Sequence, residues 1–290
     1  MKDIDLSAYT GQDFNIIGYF KGVFDGNGHT IANFTYTLEE EVKNIGIFGY
    51  ANWAHIKDLR VNEPNIVVTE GRYVGALAGS FYNGVVTRCT VECGRISGKQ
   101  YVGGLIGIHS SSITECSSST IVLVDTESGG LVGYNDDGSV SSCYSAADVT
   151  GTGEDTGGLI GSNYGIIQLS NSTGKVVGSH IHVGGLIGEN IGNISNCYSK
   201  CAVQGGTEVG GLVGHNYWGE ITSCFWDIET SGWTTSSGGT DLTTDEMQMA
   251  STFLEAGWDF VGETDNGTED IWWILEGKDY PRLWWEDEGN

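Results

Sequence analysis

The chain has 290 residues, 46 of them glycine and 2 proline, and a formal net charge of −25 from 13 Lys and Arg against 38 Asp and Glu. Glycine this frequent without a G-X-Y period excludes collagen, and 39% hydrophobic with 11% aromatic residues excludes a disordered acidic tail. No apolar run reaches the ~18 residues of a membrane span, and the negative charge argues against nucleic acid and anionic bilayers as partners.

In chain order, MKDIDLSAYT lacks the apolar core of an export signal. Residues 15–35 carry the turn Asp25-Gly26-Asn27-Gly28 between apolar segments. They read as strand, tight turn, strand, a first coil or N-terminal cap within about residues 1–40. A repeat follows: NIGIFG, YVGALAG, YVGGLIG, SGGLVG, TGGLIG, HVGGLIG and EVGGLVG close on Gly49, Gly79, Gly107, Gly133, Gly161, Gly188 and Gly214, at steps of 26 to 30 residues. Val86, Ile113, Val140, Ile167, Ile194 and Ile221 recur every 27 residues, and three residues beyond each stand Cys89, Cys116, Cys143, Ser170, Cys197 and Cys224. Val122, Val149, Val176 and Val203 make a third column.

Three short apolar segments per 27 residues, rich in Gly and β-branched residues, predict an all-β parallel β-helix of about eight coils over residues 1–240. Equivalent residues then stack about 4.8 Å apart. The cysteines are expected as an internal ladder of small hydrophobes, unpaired rather than bridged, although a disulfide between coils is within reach. Asn135, Asn163, Asn190 and Asn216 are expected as a turn ladder, in left-handed backbone or bonded to one another. In V-G-G-L-I-G the Val/Ile and Leu columns face opposite ways on a regular strand. Either the strand bends at Gly-Gly and buries both, or Leu105, Leu131, Leu159, Leu186 and Leu212 form an outer Gly/Leu face for self-association.

Residues 241–290 read as an acidic, aromatic capping segment. Thr243-x-x-Glu246 is a capping box opening a helix over about 245–255, stopped at Gly257, and three aromatic segments follow. Such a tail is expected to cover the open end of the solenoid.

The series NIGIFG to EVGGLVG resembles the GLUG repeat of large bacterial secreted and cell-surface proteins, including regions attached to immunoglobulin-A-cleaving metallopeptidases. The lead-in DIDLS…FKGVFDGNGHTI and the closing IWWILEGKDYPRLWW are similar to flanks that accompany such repeats. The resemblance implies an extracellular right-handed β-helix, secreted or surface-displayed, serving adhesion or spacing. It also implies that further chain precedes DIDLS, and it carries over no catalytic residues. The H-E-x-x-H motif of the metallopeptidases is absent. A non-enzymatic module binding carbohydrate or another surface protein is therefore expected, without cofactor unless Ca²⁺.

The alternative is a polysaccharide-cleaving enzyme. Tyr73, Tyr101, Glu127, Asp155, His182 and Glu208 each lie two residues before a repeat's first Gly. One column would place Glu127 and Asp155 a coil apart as a carboxylate pair, with His182 and Glu208 next and Tyr73 and Tyr101 as a sugar-stacking platform. Asp136, Asp137, Glu154 and Asp155 are oxygen-rich Ca²⁺ candidates. A lyase fits less well, because residues 101–240 hold only Lys175 and Lys200 as cations. A basic island of Lys57, Arg60, Arg72, Arg88, Arg95 and Lys99 would either receive an anionic glycan, through Arg72 among others, or form a solvated ion-paired face. His180-x-His182 would place two rings on one side of a strand for a transition metal.

Overall fold

The computed structural model describes residues 2–286. It is a parallel β-solenoid of about eight turns with about 27 residues per turn. Strand pairs follow the sequence columns: Val140, Ile167, Ile194 and Ile221 are Cα partners in succession, as are Val122, Val149, Val176 and Val203. The first coils are longer, since Ile31, Val61 and Val91 stack at steps of 30 residues before the step settles at 27. Ile17–Ala32 pairs in parallel with Phe48–Asn62, so the segment around Asp25-Gly26-Asn27-Gly28 is a coil and its turn a coil corner. Asn27 and Gly28 take positive φ there, and the Asp25 carboxylate accepts from the Asn27 amide at 2.8 Å.

The Gly-Leu step resolves the repeat's two-sided pattern. Leu105, Leu131, Leu159, Leu186 and Leu212 are all fully buried, and so are Val132, Ile160, Ile187 and Val213 beside them. The chain bends between Gly129 and Val132, and equivalently in each coil, so consecutive residues both turn inward. The Gly/Leu face is therefore core, and an outer leucine stripe for self-association does not exist.

The corners are built by unexpected residues. Tyr73, Tyr101, Glu127, Asp155, His182 and Glu208 all adopt φ between 48° and 59°, and Glu115, Ser142, Leu169, Asn196 and Ser223 do so at a second corner. The conformation costs an L-residue roughly 1–2 kcal/mol, which the stacked neighbours offset. The repeat's glycines instead stand where no Cβ fits: one at Gly158 would lie 2.0 Å from the Gly185 carbonyl oxygen and 2.8 Å from Cys201 Sγ.

Two polar ladders run inside. Nδ2 of Asn135 donates to Asn163, Asn163 to Asn190 and Asn190 to Asn216, at 2.7, 2.8 and 2.8 Å. These asparagines end strands in extended rather than left-handed backbone, so hydrogen bonding alone selects them. Cys89, Cys116, Cys143, Cys197 and Cys224 are buried and free. The backbone N–H groups of Cys89 and Cys116 donate to the sulfur one coil on at 3.4 Å, and each thiol of the ladder donates to the carbonyl two residues earlier.

The C-terminal segment covers a flank. The end of the solenoid is closed by residues 226–242, where Trp226 joins the core, Thr240–Leu242 pairs with Phe225–Asp227, and Ser236 and Ser237 bond to Val213 and Gly214. The capping box at Thr243 is present, but the helix is split into Thr244–Met247 and Ala250–Glu255. Beyond it, Phe253, Trp258, Phe260, Trp272, Tyr280 and Leu283 pack against Tyr198 and Phe225. Trp285 stacks on Tyr144 at 5.3 Å and its Nε1 donates to the Ser142 carbonyl. Tyr144, Asn171, Tyr198 and Phe225 are one column of four coils. The tail therefore runs back along the side of the rod as a buttress, rather than over its end.

Candidate functional site

Along another flank, two columns meet at the left-handed corner. The corner column runs Tyr73, Tyr101, Glu127, Asp155, His182, Glu208. The second, Tyr134, Ser162, Glu189 and His215, is fixed by strand register. A side chain on the corner reaches the second column beside it, so the two columns share partners.

The N-terminal half of this stripe is aromatic. Tyr73 and Tyr101 stack at 5.2 Å with 10° between their planes, Tyr101 meets Tyr134 edge-on at 5.2 Å, and Tyr134 meets Tyr164 at 5.2 Å. Stacking turns the faces of Tyr73 and Tyr101 toward each other, leaving ring edges and hydroxyls to face outward there. Open ring faces occur further on, at Tyr164, Tyr217 and Trp218, the last 85% exposed. Burial pushes the Tyr101 phenol up to about 12, with the Glu127 carboxylate adding to it. Arg72, adjoining Tyr73, acts on Tyr101 in the opposite sense.

The C-terminal half is acidic and imidazole-rich. Asp155, only 6% exposed, meets His182 Nδ1 through Oδ1 at 2.7 Å and accepts from Ser162 Oγ through Oδ2 at 2.8 Å. His182 Nε2 lies 3.2 Å from Glu208 Oε2, which His215 Nδ1 approaches to 2.5 Å. Glu189 stands 3.9 Å from His182 Nδ1, and burial with the neighbouring Asp155 charge raises its carboxyl to about 7. Burial also raises Asp155, outweighing its hydrogen bonds, and raises Glu127, to which the Asp155 charge adds. Gln100 reaches Glu127 Oε1 at 3.5 Å, while Oε2 is buried without a partner among the described residues.

The sequence column thus brings Glu127, Asp155, His182 and Glu208 together as expected. Both oxygens of Asp155 are engaged, however, and one of Glu127 is sealed from solvent, which disfavours the pair as nucleophile and acid. His180 is exposed while His182 is buried, because the left-handed backbone at His182 breaks strand alternation. His182 pairs instead with His215, ring centroids 4.9 Å apart. Glu189 and His215 escaped the sequence reading because they occupy a different repeat position. The signal available was that Ser162, Glu189 and His215 all precede the asparagine ladder by one residue. Asp136, Asp137 and Glu154 are exposed and join none of the described residues' metal-competent clusters, whereas Asp155 does.

The basic island is an ion-paired face. Lys57 bonds Asp25 at 2.7 Å, Arg88 grips Asp58 through two nitrogens at 2.6 and 3.1 Å, Arg60 meets Glu92 at 3.2 Å, and Lys99 bonds Glu70. The Arg88 guanidinium holds the Asp58 carboxyl below its usual range. Four of the island's six cations are thus matched by carboxylates, while Arg72 and Arg95 form no ion pair among the described residues, so only a small positive excess remains for an anionic glycan.

The chain is thus a parallel β-solenoid with one buttressed flank and one tyrosine–carboxylate–imidazole flank. It contains GLUG repeats: the profile described as "The GLUG motif" matches residues 126–150 and 179–203. The chain is 34% identical over 267 residues to Halomucin of Haloquadratum walsbyi, covering 86% of this chain and 3% of that protein. It is 33% identical over 94 residues to a candidate Gly-rich membrane protein of Evansella cellulosilytica, covering 30% of this chain and 10% of that one. The chain spans only a small fraction of either relative. A crystal structure of a candidate immunoglobulin A1 protease from Bacteroides ovatus shares the fold, with a TM-score of 0.57 and 17% identity, over 99% of this chain and 85% of that one.

Proposed function

We propose that this chain is a rigid, non-enzymatic module of a larger surface or secreted protein, and that it binds carbohydrate along the tyrosine–carboxylate flank. The observation that carries the reading is the run of Tyr73, Tyr101, Tyr134 and Tyr164, whose ring centroids are 5.2 Å apart at each step. A ladder held by strand pairing presents phenol hydroxyls, ring edges and carboxylates at the coil pitch, a surface matched to an extended polymer lying along the rod. Pre-organisation matters here, because little side-chain entropy remains to be lost on binding. The relatives' names, a mucin and a membrane protein, support placement at a surface. Affinity electrophoresis or a glycan array, with Tyr164→Ala and Trp218→Ala beside the wild type, tests the assignment. Binding lost in the variants supports it, and no retention by any glycan refutes it.

The second reading, a glycoside hydrolase, draws on Glu189, whose carboxyl near 7 suits a general acid beside ionised partners. A reducing-end assay on a polysaccharide panel separates the readings. Cleavage abolished by Glu189→Gln or Glu127→Gln would replace the binding module with an enzyme.

A further inference from the structure

At the C-terminal end of this flank, two histidines and a glutamate from two columns converge on a small volume. The ligating atoms of His182, Glu208 and His215 all lie within 4.8 Å of one another. No Lys or Arg accompanies them: residues 101–240 contain only Lys175 and Lys200, and Lys200 is engaged with Asp279 and the Tyr280 ring. Three carboxylates, Asp155, Glu189 and Glu208, thus surround two imidazoles with no fixed cation among them.

We infer that His182 Nε2, His215 Nδ1 and the Glu208 carboxylate form a binding site for a divalent transition metal of the zinc type, with Asp155 orienting His182 from behind. Zn–N and Zn–O bonds of about 2.0–2.2 Å in a tetrahedral site put ligand atoms roughly 3.3 Å apart. His182 Nε2 to Glu208 Oε2, at 3.2 Å, already matches that edge. His215 Nδ1, at 2.5 Å from the same oxygen, needs a small rotation of a half-exposed glutamate. The ring's other nitrogen is held as metal-bound histidines are held: His182 Nδ1 lies 2.7 Å from Asp155, whose second oxygen is fixed by Ser162. This places the Nδ1 proton toward the carboxylate and leaves the Nε2 lone pair for the metal. The alternative trio of Asp155, His182 and Glu189 would take Nδ1 for the metal and give up that support. Two nitrogen donors and one carboxylate favour zinc over calcium, which takes six to eight oxygens. Three protein ligands leave a fourth position for water or a group on a bound molecule.

The test uses the full chain, freed of metal with EDTA, titrated with zinc chloride and separately with calcium chloride by calorimetry at pH 7.5. One zinc per chain is expected, with affinity falling at least a hundredfold in His215→Ala and in Glu208→Gln. Asp155→Asn, acting through the ring, should weaken it by about 10- to 100-fold. Cobalt(II) should give the intense visible absorption of four-coordinate geometry in the wild type and lose it in Glu208→Gln. Circular dichroism and melting confirm the fold of each variant. Should His215→Ala fail to fold, the half-exposed Glu208→Gln decides alone. No zinc at micromolar concentration, zinc bound equally by both ligand variants, or calcium bound in place of zinc overturns the site.

Discussion

His109 occupies the asparagine ladder's column, paired in register with Asn135, but it cannot join the ladder. It is fully buried, and neither ring nitrogen has a hydrogen-bond partner among the described residues. The Ser111 backbone is close enough to act on the ring, without hydrogen-bonding geometry, and burial drives the imidazole from 6.5 down to about 3. The folded chain therefore takes up this proton far less readily than the unfolded chain. Stability from the neutral ring is complete above pH 6.5 and is lost as pH falls toward 3, at about 1.4 kcal/mol per pH unit. At pH 4.5 the loss from this residue alone is about 3 kcal/mol. His109→Asn removes the titration and extends the ladder, with Nδ2 donating toward Asn135. Near pH 7.5 the new hydrogen bond, about 1 kcal/mol, is offset by about 1 kcal/mol for the volume lost, so the two proteins should be nearly equal. Urea unfolding at pH 7.5, 6.0, 5.0 and 4.5 reads the difference, in which the carboxylates common to both proteins cancel. The variant should gain steadily below pH 6.5. A difference that stays flat with pH would refute the buried neutral imidazole.

The remaining expectations concern packing. Gly158→Ala forces a methyl against the Gly185 carbonyl, 2.0 Å from the ideal Cβ position, and should lower the melting temperature sharply, whereas Gly18→Ala, whose Cβ meets nothing within 4 Å, should cost less. Leu159→Ala should destabilise by roughly 2–5 kcal/mol, as for a fully buried leucine, and chemical denaturation checks it. Of the seven cysteines only Cys93 is exposed, so a thiol reagent should label one site in the native chain and all seven in denaturant. Trp285→Ala removes the ring stacked on Tyr144 and the bond to the Ser142 carbonyl, and should raise hydrogen exchange in residues 280–286 while leaving the coils protected.

The solenoid was legible because parallel stacking brings each residue opposite its equivalent one repeat away. A core requirement at Val140 is repeated at Ile167 and Ile194, and the interval appears directly as periodicity. The Cys and Asn ladders follow from the same cause. Alternation along a strand was a poorer guide, since it assumes straight backbone. Bends at Gly-Leu bury leucines that alternation would expose, and the left-handed corner at His182 separates it from His180. The glycines illustrate the same limit. Their count marks crowding between coils, while many corners are turned by residues such as Tyr, Glu and Leu whose types carry no turn signal.

By itself, the sequence determined the coil, its length and the column holding Tyr73, Tyr101, Glu127, Asp155, His182 and Glu208, because each depends on one repeat interval. Only the tertiary structure decided what that column meets. The convergence of His182 and Glu208 with Glu189 and His215, and the docking of the aromatic tail along four coils, join residues at different repeat positions. Such contacts arise from how a corner turns and where a surface is left uncovered, and neither leaves a period in the chain.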